Sequence, residues 1–150
     1  MESYLNTDAT LALQIDRLMR RFHSVMHPRA QNVDMEKVGP IGGMILLFIS
    51  EHQPTTAQMT AASLGRDKSQ VSRVISLLDQ KGLIEKTTSS EDARQVDLYL
   101  SEKGRMQVAA FNGVMVETTR EILGELSREE AEQFSDLLSK ILAGSRLDNS

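Results

Sequence analysis

The sequence of 150 residues contains no cysteine. This absence excludes disulfides, thiolate redox sensing, cysteine-based zinc sites and a cysteine nucleophile. A long apolar run is also missing, since the longest candidate, residues 41–50, is far too short to span a bilayer. Because no basic segment followed by an apolar one opens the chain, no signal peptide is expected and the predicted location is cytoplasmic.

Motifs for catalysis are absent as well. The sequence has no glycine-rich phosphate loop, no Ser-His-Asp arrangement and no carboxylate pair on a supporting scaffold, so an enzyme is not expected. His23 and His27 stand four residues apart on a predicted helix, a spacing that can bind a metal. No histidine-rich tract supports such a site, so an exposed or interfacial pair is favoured. We therefore predict no catalytic residue, no metal site and no cofactor.

A short amphipathic helix is predicted over residues 67–81. One apolar stripe follows the spacing i, i+3, i+4 and i+7: Val71, Val74, Ile75 and Leu78. Asp67 can cap the first turn, with Gln70 completing a capping-box-like pair, and Gly82 marks a left-handed end. The other face carries side chains that suit a DNA major groove: Lys68, Ser69, Gln70, Ser72, Arg73 and Ser76. Taken alone, this stretch also fits an ordinary surface helix.

The net charge of −4 argues against a general nucleic-acid binder. The acidity lies mainly in residues 105–150, which carry five Lys or Arg against eight Asp or Glu. Residues 66–81 carry four cations and two anions. A focused basic patch on an acidic protein favours specific over non-specific DNA binding.

The sequence on either side of this helix predicts a winged helix-turn-helix. Upstream, Thr55 with Gln58 forms a capping-box pattern for a short helix that Gly65 closes, which gives two helices joined by a tight turn. Downstream, residues 83–88 predict a strand and residues 89–93 a turn. A second strand is predicted from alternating apolar residues: Val96, Leu98 and Leu100. The tip of this hairpin carries Arg94.

Two helices are predicted before this unit. The first has three candidate caps: Asn6, Thr7 or Asp8. It is expected to end at Pro28, with a loop over residues 29–38. Gly39-Pro40 precedes the second, which runs from Ile41 to about His52 and should be central, because it is apolar on most sides. Its glycines at positions 42 and 43 either permit close approach of another helix or mark a bend.

Two helices are predicted after the hairpin. Ser101 caps one that runs to about Gly124, and a capping box of Ser127 and Glu130 opens the last, which Gly144 closes. The inward candidates of the earlier helix are Met106, Ala110, Val114 and Thr118 or Ile122. Four methionines are expected in the core: Met26, Met44, Met59 and Met106.

The first and last helices are amphipathic but are not needed to complete the winged unit. Their apolar stripes need a partner, and the simplest one is a second copy of the chain. We therefore predict a mainly α fold with a small β-hairpin wing, in the α+β class. The predicted segments are an N-terminal dimerisation helix and loop at 1–38, a winged helix-turn-helix DNA-binding domain at 39–104, and C-terminal dimerisation helices at 105–150.

Four segments carry a resemblance to a known family: T-x-x-Q-M…LG at 55–65, LLDQKGLIEK at 77–86, E-D-A-R at 91–94 and LYLSEKG at 98–104. Together they resemble the core of the MarR-type bacterial transcriptional regulators. The resemblance implies an obligate homodimer with interlocked first and last helices, on a pseudo-palindromic operator in double-stranded DNA. It also implies that Arg94 enters the minor groove and that Asp92 orients it. The wing has Ala93 where the family often has a second basic residue.

The expected function is thus a ligand-responsive repressor with a possible small-molecule effector and no membrane partner. Two alternatives stay open. Net acidity and the thin charge of the wing motivate a winged-helix protein–protein module without DNA binding. The spacing of His23 and His27 motivates a metal-responsive regulator.

Overall fold

The computed structural model describes residues 2–88, 92 and 94–145, with only the backbone described for residues 2–6 and 145. These residues form six helices and one hairpin: α1 (Glu2–Val33), α2 (Gly39–His52), α3 (Ala57–Leu64), α4 (Lys68–Gln80), β1 (Ile84–Thr88), β2 (Val96–Leu100), α5 (Glu102–Ile122) and α6 (Arg128–Ser145). The predicted fold class, mainly helical with a small hairpin, is confirmed. None of the described helices combines the length and the apolar character that a membrane crossing requires.

The chain divides into two compact units. One is formed by residues 23–115, and the other by residues 1–22 together with 116–150. The first unit contains the helix-turn-helix and the hairpin. The division into three segments at residues 38 and 104 stays a prediction.

Helix α2 lies at the centre of the first unit, as its apolar sequence predicts. Ile45, Leu46 and Ile49 are fully buried, and α2 contacts α3, α4 and β2. Its two glycines let neighbouring side chains approach. A Cβ at Gly43 would lie 3.4 Å from the Phe111 ring, and one at Gly42 would lie 2.7 Å from the Cβ of Val38. The tight contact at Gly42 is to Val38 at the start of the same helix, and the contact of Gly43 with Phe111 is an ordinary van der Waals distance.

The hairpin is antiparallel, with the register running from Ile84↔Leu100 to Thr88↔Val96. Thr55 adds an isolated bridge to Leu98, with N–O distances of 3.3 and 2.7 Å. This bridge ties the segment before α3 to the edge of the wing. The Gln53 side chain adds a second tie, because its Oε1 accepts a hydrogen bond from the Leu100 N–H at 3.0 Å.

The junction between the hairpin and α5 explains the residues of the SEKG segment. The Ser101 hydroxyl donates to the Gly82 carbonyl at 2.6 Å and accepts from the Gly104 N–H at 3.0 Å, so Ser101 caps α5 as predicted. A Cβ at Gly104 would overlap the carbonyl oxygen of Leu83. Only glycine fits this position with the backbone as it stands.

Helix α1 extends beyond both of its predicted ends. It passes through Pro28 to Val33, and the predicted caps at residues 6–8 lie inside it, so both predictions were wrong. Proline removes one helical N–H and crowds the preceding turn. Tertiary contacts outweigh that cost, because Ala30 and Val33 pack against the core and the Gln107 Nε2 donates to the Val33 carbonyl at 2.9 Å.

Three local predictions, on two helix ends and on the inward face of α5, were wrong. The cap of α3 is Thr56 and not Thr55, since the Thr56 hydroxyl accepts from the Met59 N–H at 3.1 Å. Helix α6 continues through Gly144 to Ser145 instead of closing there. The inward face of α5 does not include Met106, which is 70% exposed. Three side chains outside the predicted inward set are buried there: Gln107, Val108 and Phe111.

The expectation that four methionines lie in the core was also wrong. Met44 is 39%, Met59 53% and Met106 70% exposed, and Met26 is half-buried. Apolar side chains at helical spacing face a core only if another element covers them. For two of these methionines, Met26 and Met44, the structure provides a cavity instead of a packed neighbour.

Candidate nucleic-acid interface

Helix α4 is held by caps at both ends. The Asp67 carboxylate accepts the Gln70 N–H at 3.2 Å, and Gly82 follows the helix with φ +73°. Both features were predicted. A side-chain oxygen at this position satisfies one of the unpaired N–H groups of the first turn, and glycine adopts positive φ without steric cost.

The apolar stripe of α4 faces inward, which fixes what the helix shows to solvent. Val71, Ile75 and Leu78 are at most 3% exposed. Because side chains three and four residues apart share one face of a helix, the polar set lies on the other side. Gln70 and Ser72 are half-buried. The other four members are exposed: Lys68, Ser69, Arg73 and Ser76. The six predicted residues of α4 are thus all at least partly accessible, and four of them are exposed.

Helix α3 and the turn after it orient α4. Gly65 has φ +60°, and the N–H groups of Gly65 and Arg66 donate to the Ala62 and Ala61 carbonyls at 3.3 and 3.0 Å. This left-handed end was predicted. It turns the chain sharply, and α4 packs against α3.

Arg94 lies on the segment that joins the two strands of the wing and is exposed. The Asp92 carboxylate accepts the Arg94 N–H at 2.9 Å, and the Asp92 carbonyl accepts the Gln95 N–H at 3.0 Å. Asp92 therefore positions the backbone of Arg94, in the local turn that aspartate commonly forms two residues ahead. The predicted turn at 89–93 falls on residues of which only Asp92 is described, so Glu91 and Ala93 lie outside the described residues.

Contacts of charged side chains connect α4 to two other parts of the winged unit, the wing and the loop after α1. The Lys86 ammonium on β1 lies 3.6 Å from the Asp79 carboxylate on α4, which partly neutralises this wing lysine. The Lys103 ammonium donates to the Lys81 carbonyl at the end of α4 at 2.9 Å and pairs with Glu36 at 3.1 Å. A cation at a helix C-terminus is favourable, because unpaired carbonyls concentrate negative charge there.

The role of Lys103 could not be found from the sequence. Its partners lie 22 and 67 residues away, and no local pattern connects them. The same holds for Gln53, whose bond to Leu100 crosses 47 residues. Local motifs reveal caps and turns, whereas these contacts exist only once the chain is folded.

The unit of residues 23–115 also contains a cavity of about 580 Å³ that is open to solvent on one side. Its walls come from the C-terminal part of α1, the loop before α2, the start of α2 and the middle of α5. Its apolar floor includes Leu47, Phe111 and Val114. A volume of several hundred Å³ with apolar walls and a few polar groups is typical of small-molecule sites.

Comparison with known proteins shows what the winged unit is similar to. Residues 41–95 match the model of the MarR family. Wild-type apo MarR of E. coli superposes with a TM-score of 0.75 at 19% identity, over 88% of this chain and 96% of that one. A MepR mutant from a multidrug-resistant S. aureus clinical isolate gives a TM-score of 0.73 at 28% identity, over 87% and 96% of the two chains.

Two of the similar structures contain nucleic acid. A mutant of E. coli MarR complexed with operator DNA gives a TM-score of 0.70 at 19% identity, covering 91% of this chain and 96% of that one. A mutant of S. aureus MepR bound to an oligodeoxyribonucleotide gives 0.60 at 27% identity, covering 87% and 96%. The predicted resemblance to the MarR family is therefore confirmed: residues 41–95 match the model of that family, and the chain has the winged helix-turn-helix fold of the MarR and MepR structures.

Proposed function

We propose that the chain is a sequence-specific DNA-binding transcriptional regulator. The observation that carries this proposal is the polar, solvent-facing side of α4, capped at both ends and flanked by a wing whose Arg94 is exposed. The E. coli MarR and S. aureus MepR structures with DNA support it, since their fold is shared by this chain.

In the proposed complex, α4 enters the major groove. Its exposed side chains contact base edges or phosphates, and Arg94 enters the adjacent minor groove, held by the turn at Asp92. The residues assigned to the interface are those predicted from the sequence: Lys68, Ser69, Gln70, Ser72, Arg73, Ser76, Asp92 and Arg94. Because cations contacting phosphates release counterions, affinity should fall steeply as salt rises.

The regulator is proposed to act as a homodimer. On α6, four apolar side chains are between 41% and 68% exposed: Leu137, Leu138, Ile141 and Leu142. On α1, Leu11, Ile15 and Met19 are between 48% and 63% exposed. Burying the exposed half of one such side chain contributes about 1 kcal/mol. A two-fold dimer would also carry two copies of α4, which suits half-sites about 34 Å apart.

The proposed mode of control is ligand-responsive repression. A small molecule in the 580 Å³ cavity would contact α2 and α5 at once. If it binds one conformation of the dimer more tightly, it shifts the population and changes the spacing of the two α4 helices. The Glu36–Lys103–Lys81 contacts supply a physical connection, because Glu36 lies between two cavity-lining residues, Asp34 and Lys37.

The test is a gel shift of the full chain against fragments of its own genome, followed by quantitative titration of the selected site. Arg73→Ala and Arg94→Ala should each weaken binding by about 1–3 kcal/mol. Arg128→Ala is the matched control, since this exposed arginine pairs with Glu132 on α6, outside the winged unit. Unchanged binding by both variants contradicts the assigned interface. No shift of any fragment at low salt favours the winged-helix protein–protein module instead.

A further inference from the structure

The wall of the cavity concentrates soft metal donors. His23, Met26 and His27 from α1 line it together with Met44 from α2 and Met115 from α5. The chain has three histidines and eight methionines in all. Two of the three imidazoles therefore face the same space as three thioethers, although these residues are scattered over 93 positions of the sequence.

The three donors from α1 share one face of the helix. They occupy positions i, i+3 and i+4, so their Cβ atoms are roughly 5–6 Å apart. The imidazole centroids of His23 and His27 are 5.5 Å apart, with an angle of 27° between the ring planes. His23 is exposed, and Met26 and His27 are half-buried. Rotation of side chains, without movement of the helix, can direct one nitrogen from each ring at a common ion.

The remaining donors in the cavity do not suit a hard or zinc-type cation. Asp34 lines the cavity, but its two carboxylate oxygens accept the N–H groups of Val38 and Gly39 at 2.9 Å each. Within the described part of the chain, no group of three or more His, Cys, Asp or Glu could hold a metal ion. A metal at this wall would be held by two imidazoles and by neutral thioethers, and the thioethers favour a soft ion such as Cu(I) over magnesium or calcium.

Although the sequence alone predicts no metal site, the lining of this cavity leads to a different inference: we propose that His23, Met26 and His27, completed by Met44 or Met115, bind a soft monovalent metal ion, Cu(I) or Ag(I). Thioether sulfur is a favourable ligand for Cu(I). The cavity gives the ion a route in from solvent, and its apolar floor limits the water that competes for the ion. This binding does not depend on the proposed function in DNA recognition, so it can be tested without DNA.

The experiment uses the full chain under anaerobic, reducing conditions, in competition with the chromophoric Cu(I) chelator bicinchoninate. The wild type should withdraw one equivalent of Cu(I) per chain. The double variant His23→Ala/His27→Ala should bind at least about 10-fold more weakly, since even supporting groups at metal sites contribute that much. Met26→Leu, which conserves volume and removes the sulfur, should also weaken binding.

The chain offers matched controls for both donor types. His52 is the third histidine, and its Nδ1 lies 3.1 Å from the Phe48 carbonyl, away from the cavity lining. Met59 on α3 is 53% exposed and does not line the cavity. His52→Ala and Met59→Leu should therefore retain wild-type affinity for Cu(I). Circular dichroism of each variant checks that a loss of binding is not a loss of fold.

The outcomes decide the proposal. X-ray absorption of the Cu(I)-loaded protein should show nitrogen and sulfur scatterers together, and Zn(II) should fail to displace the ion. The proposal is overturned if the wild type cannot compete with bicinchoninate. It is also overturned if the double histidine variant binds as the wild type does, or if the controls lose as much affinity as the cavity variants.

Discussion

Gly104 provides a test of the fold at the joint between the wing and α5. Its missing side chain leaves room for the carbonyl oxygen of Leu83, which a Cβ would overlap. That oxygen is a backbone atom and cannot rotate away, and it also accepts the Ser101 N–H at 3.1 Å. Gly104→Ala must therefore displace either β1 or the first turn of α5.

The magnitude follows from three contributions. Overpacking of a tight site costs about 1–3 kcal/mol. Disturbing the Ser101–Leu83 hydrogen bond costs about 1 kcal/mol more. The higher helix propensity of alanine relative to glycine offsets about 1 kcal/mol of this loss. The net expectation for Gly104→Ala is a loss of about 1–3 kcal/mol in the free energy of unfolding, or a Tm lower by roughly 2–12 °C for a chain of this size.

The same helix contains the matched control. Gly113 is exposed on α5, and a Cβ there would meet no atom within 4 Å. Gly113→Ala should therefore raise the free energy of unfolding by about 0.5–1 kcal/mol. Both variants are compared with the wild type by urea unfolding at one fixed protein concentration, since any association adds to apparent stability. A Gly104→Ala variant as stable as Gly113→Ala would refute the steric argument.

Three further predictions concern DNA, assembly and pH. If Arg73 contacts a phosphate, Arg73→Ala should reduce the slope of log K against log salt by about 1, measured by fluorescence anisotropy on the operator. Ile141→Glu should convert a dimer to a monomer in sedimentation velocity, whereas the neighbouring Lys140→Glu should not, because Ile141 is a 68% exposed apolar side chain. The pKa of Glu130 is lowered chiefly by the hydrogen bond from the Ser127 backbone N–H and, to a smaller extent, by a hydrogen bond with the Ser127 side chain. The stability that this capping box contributes is thus present above the ordinary carboxyl pKa and is lost as pH falls through the lowered pKa of Glu130. Glu130→Gln should remove this pH dependence of the melting temperature in thermal melts.

Local chemistry made several elements predictable from the sequence. The caps at Asp67 and Ser101 and the reciprocal box of Ser127 and Glu130 all have the predicted hydrogen bonds. Each motif spans three or four residues, so its partners are fixed by the geometry of one helical turn. The polar face of α4 was also predictable from local sequence, because the position of the buried apolar stripe determines which side chains of a helix point outward.

Contacts between distant segments could not be read in the same way. Proline at position 28 predicted a helix end, and the packing of Ala30 and Val33 against the core overrode it. The apolar periodicity of α5 was compatible with more than one inward face. Gln107 and Phe111, not Met106, are buried because of what α1 and α2 place opposite them. Periodicity identifies a helix, whereas the partner decides its orientation.

The contacts around Lys103 join the two candidate sites of the winged unit. At one end, Asp34 accepts two N–H groups at the start of α2 and lines the cavity. Glu36, two residues on, pairs with Lys103, whose ammonium also donates to the carbonyl of Lys81, the residue that follows α4. A ligand that displaces the loop at Asp34 and Glu36 would remove one partner of Lys103. Because Lys103 is partly exposed, that ion pair contributes at most about 1 kcal/mol, so it can bias α4 between two positions but cannot by itself drive a complete switch.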